Sequence, residues 1–143
     1  LSALRRGWLR IDDPDIRFDL DGSSLLVPFS HELPVHRAAH PDYSANLGRI
    51  AGHIGRHRPG TIIDIGANVG DSVAIIRPHS DAPILCIEGD EVYLPYLEAN
   101  TDGVVGVEIE PNYVATSNGH VRYAVERIGG TARLVPVPNA DDD

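Results

Sequence analysis

A short apolar run that passes directly into a glycine-rich turn is the feature that most constrains the fold. Residues 61–65 read Thr-Ile-Ile-Asp-Ile, and the following loop contains Gly66 and Gly70. A short continuous apolar run is typical of a parallel strand that is buried on both faces. Residues 72–77 then favour a helix, and residues 83–88 repeat the apolar pattern. The order strand, turn, helix, strand predicts an α/β fold with a parallel sheet.

The chain before this unit contains signals for a hairpin and a helix. Residues 16–29 form two extended runs around Asp21-Gly22, which predicts a β-hairpin. Residues 30–41 contain two prolines and favour an irregular connection. Residues 42–57 carry apolar side chains at helical spacing, so they predict a helix whose apolar stripe packs on the sheet. The members of that stripe are Leu47, Ile50, Ala51 and Ile54.

The chain after the second strand continues the α/β alternation and then changes its rhythm. Residues 93–100 predict a helix with a proline in its first turn, and residues 104–109 predict a third strand. Residues 113–137 contain short extended runs separated by Asn118-Gly119 and Gly129-Gly130. Such turns are typical of antiparallel strands, so we expect a meander here.

Composition restricts the class of protein. The 143 residues are enough for one domain with its own core. The net charge is -9, and there is no basic stripe that could neutralise phosphates, so we expect no nucleic-acid partner. No apolar stretch approaches the ~20 residues that span a bilayer, so we expect no membrane partner. The single cysteine, Cys86, excludes an intrachain disulfide and favours a cytoplasmic location.

The loop after the first strand of the sheet is the best candidate for a binding site. In parallel sheets, ligands bind beyond the carboxyl ends of the strands. Gly66 and Gly70 allow close approach of the backbone, and the N–H groups at the next helix can hold a carboxylate. Asp64 and Asp71 add negative charge, which a phosphate-binding loop would avoid. The spacing fits neither a dinucleotide fingerprint nor a P-loop.

A second acidic position follows the next strand. Glu88 lies 24 residues after Asp64, where the second apolar run ends. A carboxylate at this place can accept hydrogen bonds from both hydroxyls of a ribose. On this interpretation, replacing Glu88 by alanine weakens ligand binding and leaves the stability of the free protein nearly unchanged.

These motifs resemble those of one known family. Residues 63–72, Ile-Asp-Ile-Gly-Ala-Asn-Val-Gly-Asp-Ser, resemble the first motif of FkbM-type methyltransferases. Ile87-Glu88, with Leu94, Leu97 and Asn100 after it, is similar to their second motif, and the meander is similar to theirs. The resemblance covers roughly residues 40–137. The sequence departs from the family at Gly89, where the family usually has proline, and it lacks the family's later Asp-x-Glu-Gly segment.

The resemblance implies a fold, a cofactor and a reaction. The fold is a Rossmann-like class I methyltransferase fold that is incomplete at the C-terminus. We divide the chain into a hairpin and connection, residues 1–41, and a Rossmann-like cofactor-binding domain, residues 42–143. The cofactor is S-adenosylmethionine, and the reaction is O-methylation of a small-molecule or sugar hydroxyl. Because the acceptor side of the fold is expected to be missing, we expect little turnover from this chain alone.

The residues expected to hold the cofactor lie in the glycine loop, at the end of the second strand, and before the helix of residues 42–57. They are Tyr43, Asp64, Gly66, Ala67, Asn68, Gly70, Asp71, Ser72, Glu88 and Gly89. No catalytic residue is assigned, although His31, His36 and His40 are candidates for a general base. No metal site is expected, because His53 and His57 have no evident third ligand.

Two alternatives from other classes stay open. The chain could be a truncated module that binds cofactor or a partner without turnover, and an open sheet edge would favour a homo-oligomer. A nucleotide-dependent oxidoreductase is a lesser alternative, which a test with nicotinamide cofactors would separate from a methyltransferase.

Overall fold

The structure is a computed structural model, and it describes residues 13–116 and 123–136. Within these residues the elements in chain order are β1 (Asp15–Leu20), β2 (Ser23–Pro28), α1 (Leu33–Ala39), α2 (Ala45–His57), β3 (Ile62–Ile65), α3 (Asp71–Ile76), β4 (Ile84–Ile87), α4 (Leu94–Thr101), β5 (Val107–Glu110), β6 (Tyr123–Ile128) and β7 (Thr131–Pro136). No helix in the described ranges is long and apolar enough to cross a membrane.

The centre of the fold is a parallel sheet. β3 pairs with β4 in parallel, with Ile63 opposite Leu85, and β4 pairs with β5 in parallel, with Leu85 opposite Glu108. The helices α3 and α4 make the two crossovers between these strands. The sheet order follows the chain order, as in one half of a doubly wound sheet. The predicted α/β fold with a parallel sheet is therefore confirmed.

Two antiparallel hairpins accompany the sheet. β1 and β2 pair around Asp21-Gly22, as the sequence predicts, with Leu20 opposite Ser23. β6 and β7 pair around the Gly129-Gly130 turn, with Ile128 opposite Thr131. The first hairpin is tied to α4, because Asn100 Nδ2 donates to the carbonyl of Leu26 at 2.8 Å and Asn100 Oδ1 accepts from the Leu26 N–H at 2.7 Å.

The core consists of two clusters of buried side chains. One lies between the sheet and its helices and contains Ala51, Ala67, Val73, Ile76, Ile84, Cys86 and Leu97. The other joins the first hairpin to α1, α3 and the start of α4, and it contains Leu20, Leu25, Val27, Leu33, Val69, Ile75 and Tyr93. The helix α3 contributes to both clusters. The glycine loop that precedes it is therefore held from two sides.

The prediction that the first parallel strand is buried on both faces was wrong for the described residues. Side chains alternate between the faces of a strand, so Ile62 faces the helices while Ile63 and Ile65 face the other way. Ile63 is 58% exposed and Ile65 is 63% exposed. The helices α3 and α4 pack on one face of the sheet, and no described element covers these two isoleucines.

The predicted apolar stripe of α2 was also wrong in part. Ala51 is buried, but Ile50 and Ile54 are 55% and 50% exposed. The helix approaches the end of α3 through glycines instead, since a Cβ on Gly48 would lie 2.3 Å from the His79 ring. The glycines Gly48 and Gly52 lack side chains and so allow this close approach, and the larger Ile50 and Ile54 lie outside the contact.

Two further predictions need correction. Residues 30–41 were expected to be irregular, but they contain α1, because Pro34 lies in the first turn, where the missing N–H costs nothing. Residues 113–116 form no strand, so the predicted meander is reduced to the β6–β7 hairpin. The predicted Asn118-Gly119 turn lies outside the described residues. The other predicted elements are present, with ends displaced by up to three residues.

Candidate functional site

A cavity of about 570 Å³ lies at the carboxyl ends of β3 and β4. Its walls come from the glycine loop between β3 and α3, the segments after β4 and β5, the start of α1 with the turn before α2, and the Gly129-Gly130 turn of the second hairpin. The volume falls within the usual range for small-molecule sites. The cavity therefore lies where the sequence places the binding site.

The backbone of the glycine loop is fixed to the neighbouring strand. The N–H groups of Gly66 and Ala67 donate to the carbonyl of Ile87 at 2.8 and 3.1 Å. Gly66 has a φ of 78°, which disfavours side chains, and a Cβ there would meet no atom within 4 Å. Since Gly66 lines the cavity, its missing side chain leaves space for a ligand.

Asn68 connects the loop to two distant parts of the chain. Its Oδ1 accepts from the Val69 N–H at 2.9 Å and lies 2.9 Å from His31 Nε2, and its Nδ2 donates to the Gly130 carbonyl at 3.0 Å. The Leu33 N–H donates to His31 Nδ1 at 3.2 Å, so Nε2 must carry the proton that Asn68 accepts. Both ring nitrogens of His31 are engaged, which makes a structural role more suitable for this residue than that of a base.

Glu88 holds the loop from the other strand. Glu88 is only 6% exposed. Oε2 accepts from the Asn68 N–H at 2.8 Å, and Oε1 accepts from the Asp90 N–H at 2.7 Å. Each carboxylate oxygen has a second lone pair, so Glu88 keeps acceptor capacity toward the cavity. The residue therefore has a structural function that the sequence did not indicate.

An ion pair fixes the second hairpin beside the cavity. The Arg127 guanidinium donates to both oxygens of Asp90, with Nε to Oδ2 at 2.8 Å and Nη2 to Oδ1 at 2.8 Å. The Asp90 side chain is fully buried. Burial alone would raise the pKa of Asp90, but the hydrogen bonds from Arg127 and the Val92 N–H lower it overall. The hairpin is thus linked to the segment that follows β4.

The cavity contains a pair of aspartates. Asp64 accepts a hydrogen bond from the Ser72 hydroxyl. Burial raises the pKa of Asp71, and the negative charge of Asp64 raises it further, although the backbone N–H groups of Asp71 and Ser72 oppose the rise. These N–H groups already interact with Asp71 at the start of α3. The Asp71 carboxylate therefore competes for the N–H groups that were expected to hold a ligand carboxylate.

Aromatic side chains form the rim. Tyr43 and His36 both line the cavity, and their rings stack with centroids 5.3 Å apart and an interplanar angle of 26°. Tyr113 lies against Gly89, where a Cβ would approach the ring to 2.5 Å. This contact explains why glycine suits position 89 in this chain, where the resembled family usually has proline.

Eight of the ten sequence-predicted cofactor residues line the cavity: Tyr43, Asp64, Gly66, Asn68, Asp71, Ser72, Glu88 and Gly89. The other two do not. Ala67 is buried in the core, and Gly70 is buried where a Cβ would contact Leu97 at 3.1 Å. These two residues lie on the core side of the loop, away from the cavity.

The sequence did not indicate the contribution of the second hairpin. Gly129, Gly130, Thr131 and Ala132 line the cavity, but the sequence marked the glycine pair only as a turn. Of the three histidines considered as bases, His31 and His36 line the cavity, and His40 is not among its described lining residues. Both ring nitrogens of His31 have hydrogen-bond partners, whereas the His36 ring stacks on Tyr43. Within the described ranges, no group of three metal-binding side chains is close enough together to hold an ion.

The fold and the site define an α/β protein with an acidic small-molecule cavity at the ends of its parallel strands. No family model matches the chain, and no curated protein matches it. Among solved structures, it is similar to a protein described as the SAM-dependent methyltransferase from Agrobacterium tumefaciens, with a TM-score of 0.49 and 9% identity. The match covers 72% of this chain and 33% of the other, so this chain spans about a third of that protein's length.

Proposed function

We propose that this chain is the cofactor-binding part of an S-adenosylmethionine-dependent methyltransferase of the FkbM type, with a Rossmann-like fold. The observation that carries the proposal is the character of the cavity. It lies at the carboxyl ends of parallel strands, its floor is a glycine loop, and its charged lining is acidic. The resemblance of residues 63–72 to the first motif of that family supports the same conclusion.

The residues present fit this cofactor chemically. Asp64 and Asp71 would attract its ammonium and sulfonium groups. The remaining acceptor capacity of Glu88 would serve the ribose hydroxyls. The stacked rings of Tyr43 and His36 offer an aromatic surface at the rim. When bound, the cofactor supplies an electrophilic methyl group, and the protein contributes position and exclusion of water.

The acceptor that we propose is a hydroxyl of a small molecule or sugar, and the location that we propose is the cytoplasm. His36 is the histidine best placed to take the hydroxyl proton, because it lines the cavity while both nitrogens of His31 are engaged.

The charge of the lining argues against a nicotinamide dinucleotide. Such a cofactor carries a pyrophosphate, which proteins hold with N–H groups at a helix start or with cations. No arginine is among the described residues that line this cavity, and α3 begins with the carboxylate of Asp71. Bringing a pyrophosphate against Asp64 and Asp71 would therefore be repulsive.

Isothermal titration calorimetry of the chain tests the proposal. We expect S-adenosylmethionine to bind with micromolar affinity, or about 8 kcal/mol, and NAD and NADP to give no heat. Binding of a nicotinamide cofactor, with no heat from S-adenosylmethionine, would overturn the proposal.

A second candidate function is a binding module that contacts a partner and has no turnover. The observation that favours it is the exposed pair Ile63 and Ile65 on the sheet, since apolar patches of this kind often mark interaction sites. Gel filtration with a titration of S-adenosylmethionine separates the candidates. Stable self-association without binding of S-adenosylmethionine would favour the partner-binding module.

A further inference from the structure

One face of the parallel sheet has a mixed apolar and acidic surface. Residues that are paired across parallel strands point to the same side of a sheet, so the strand registers arrange the side chains of this face in two rows. We call these residues the open sheet face. The first row is Ile63, Leu85 and Glu108, and the second row is Ile65, Ile87 and Glu110. The apolar side chains lie on β3 and β4, and the two carboxylates lie on β5, at the edge of the sheet.

The helix α2 has an outer surface of the opposite charge. Ile50 and Ile54 are both exposed, and their spacing of four residues places them on the same side of the helix. Basic side chains flank them at helical spacing, and α2 contains no aspartate or glutamate. We call this surface the α2 face. Its exposed residues are Arg49, Ile50, His53, Ile54, Arg56 and His57.

The two faces cannot meet within one molecule. Ala51 of α2 belongs to the core cluster between the sheet and its helices, so α2 lies on the helix side of the sheet. Ile63 and Ile65 point to the other side, where both are exposed. A helix that packs its apolar stripe on a sheet is one of the ordinary layer arrangements of proteins. Contact between the α2 face and the open sheet face therefore requires two molecules.

Charge decides which surface of a second copy fits the open sheet face. The chain has a net charge of -9, so two copies repel each other in most orientations. Docking through the α2 face brings its arginines toward Glu108 and Glu110. Contact between two open sheet faces would bring no cation to these carboxylates, and it would leave Ile50 and Ile54 exposed. The α2 face of a second copy is therefore the complementary occupant.

We propose that the α2 face of one copy docks on the open sheet face of another copy, in a head-to-tail contact. The inference goes beyond the proposed function and does not depend on a cofactor. Because the two faces lie on opposite sides of the sheet, a docked pair keeps one free face of each kind. Such heterologous contacts produce rings or growing chains of copies. The chain should therefore form assemblies larger than a dimer as its concentration rises.

Sedimentation velocity over a range of concentrations, with one variant for each face, tests the contact. Ile54→Asp changes the α2 face and Ile63→Asp changes the open sheet face, and neither residue lines the cavity. Each variant places a carboxylate in the apolar part of the contact, so each should weaken self-association at least about tenfold. Val105→Asp is the control, because Val105 is exposed and lies on neither face. It should associate like the wild type.

The melting temperature of each variant shows whether it is folded. Ile63→Thr keeps a β-branched side chain in the strand, so it serves as the sheet-face variant if Ile63→Asp does not fold. It should weaken self-association about threefold or more. A wild-type chain that stays monomeric at every concentration would overturn the proposal. Unchanged self-association of folded Ile54→Asp would also overturn it, because α2 would then not be the occupant.

An equimolar mixture of Ile54→Asp and Ile63→Asp, or Ile63→Thr in its place, tests the head-to-tail arrangement. Each variant retains the face that the other has lost, so the mixture should form a complex of one molecule of each. This complex should not grow further, because both of its remaining faces carry a substitution. Two variants that stay monomeric alone and also when mixed would refute docking between these two faces.

The charge argument is tested at Glu108. Glu108→Arg places a cation opposite the basic α2 face and should weaken self-association at least about threefold. Glu98→Arg is the matched control, because it changes the net charge by the same amount at an exposed position of α4 outside both faces. It should not weaken self-association. Equal self-association of the two variants would remove the charge complementarity, and with it the reason to place α2 on the open sheet face.

Discussion

Replacement of Glu88 by alanine tests whether this carboxylate holds the loop as well as a ligand. The change removes the acceptors of two backbone N–H groups, from Asn68 at 2.8 Å and from Asp90 at 2.7 Å, around a side chain that is 6% exposed. Each buried N–H left unpaired costs about 1–3 kcal/mol. Because water can reach the cavity side, we expect a loss of about 2–4 kcal/mol in the free energy of unfolding. The expectation from sequence, that stability would be nearly unchanged, is therefore revised.

Thermal unfolding of the ligand-free chain measures this loss. At about 3–5 °C per kcal/mol for a chain of this size, the melting temperature should fall by about 6–20 °C. Glu88→Gln keeps one acceptor oxygen, so its melting temperature should lie between those of the wild type and Glu88→Ala. Glu98→Ala, at an exposed position of α4, is the control and should change stability by less than about 0.5 kcal/mol. An unchanged melting temperature for Glu88→Ala would refute the structural role, and unchanged ligand affinity in the folded variant would refute the ribose contact.

Two further predictions concern the loop and the hairpin. Gly66→Val should abolish cofactor binding in calorimetry, because the added side chain fills the cavity. Gly103→Val is the control: Gly103 has a similar φ of 72° but is not among the cavity residues, so the variant should impose comparable backbone strain and leave the affinity unchanged. Equal losses of affinity in the two variants would mean that backbone strain alone is responsible. Arg127→Met removes the cation that pairs with buried Asp90 and should lower the free energy of unfolding by about 1–3 kcal/mol. Arg133→Met, which breaks the exposed ion pair with Glu126, should lower it by less than about 1 kcal/mol. Because the folded-state pKa of Asp90 is lowered, the stabilisation is fully present above about pH 4 and is lost as the pH falls through that lowered pKa. In denaturation experiments the difference between wild type and Arg127→Met should therefore be largest at pH 7 and should shrink as the pH is lowered below about 4.

The parallel unit and its loop could be predicted from the sequence because the relevant signals are local. The apolar run of residues 61–65, the glycines and Asp64 lie within one short stretch, and their spacing alone indicates a strand followed by a tight turn. The first hairpin was likewise set by Asp21-Gly22 between two extended runs. In each case neighbouring residues determine the backbone.

Burial and partners could not be predicted, because they depend on residues far away in the chain. The apolar pattern of residues 61–65 does not reveal whether an element covers Ile63 and Ile65. Helical spacing does not show that α2 packs through Gly48 rather than through Ile54. For Glu88, the sequence indicated a strand-end carboxylate, but its N–H partners depend on the folded path of the loop.

The bond between Asn68 and Gly130 has a consequence for how the site comes into existence. The two residues are separated by 62 positions in the chain. At a translation rate of about 5–20 residues per second, Gly130 is synthesised about 3–12 s after Asn68. During that interval the glycine loop can form locally, but one wall of the cavity has not yet been made. The nascent chain therefore has a complete cavity only after Gly130 has been made, and a ligand of this cavity cannot guide the folding of the segments that are made before it.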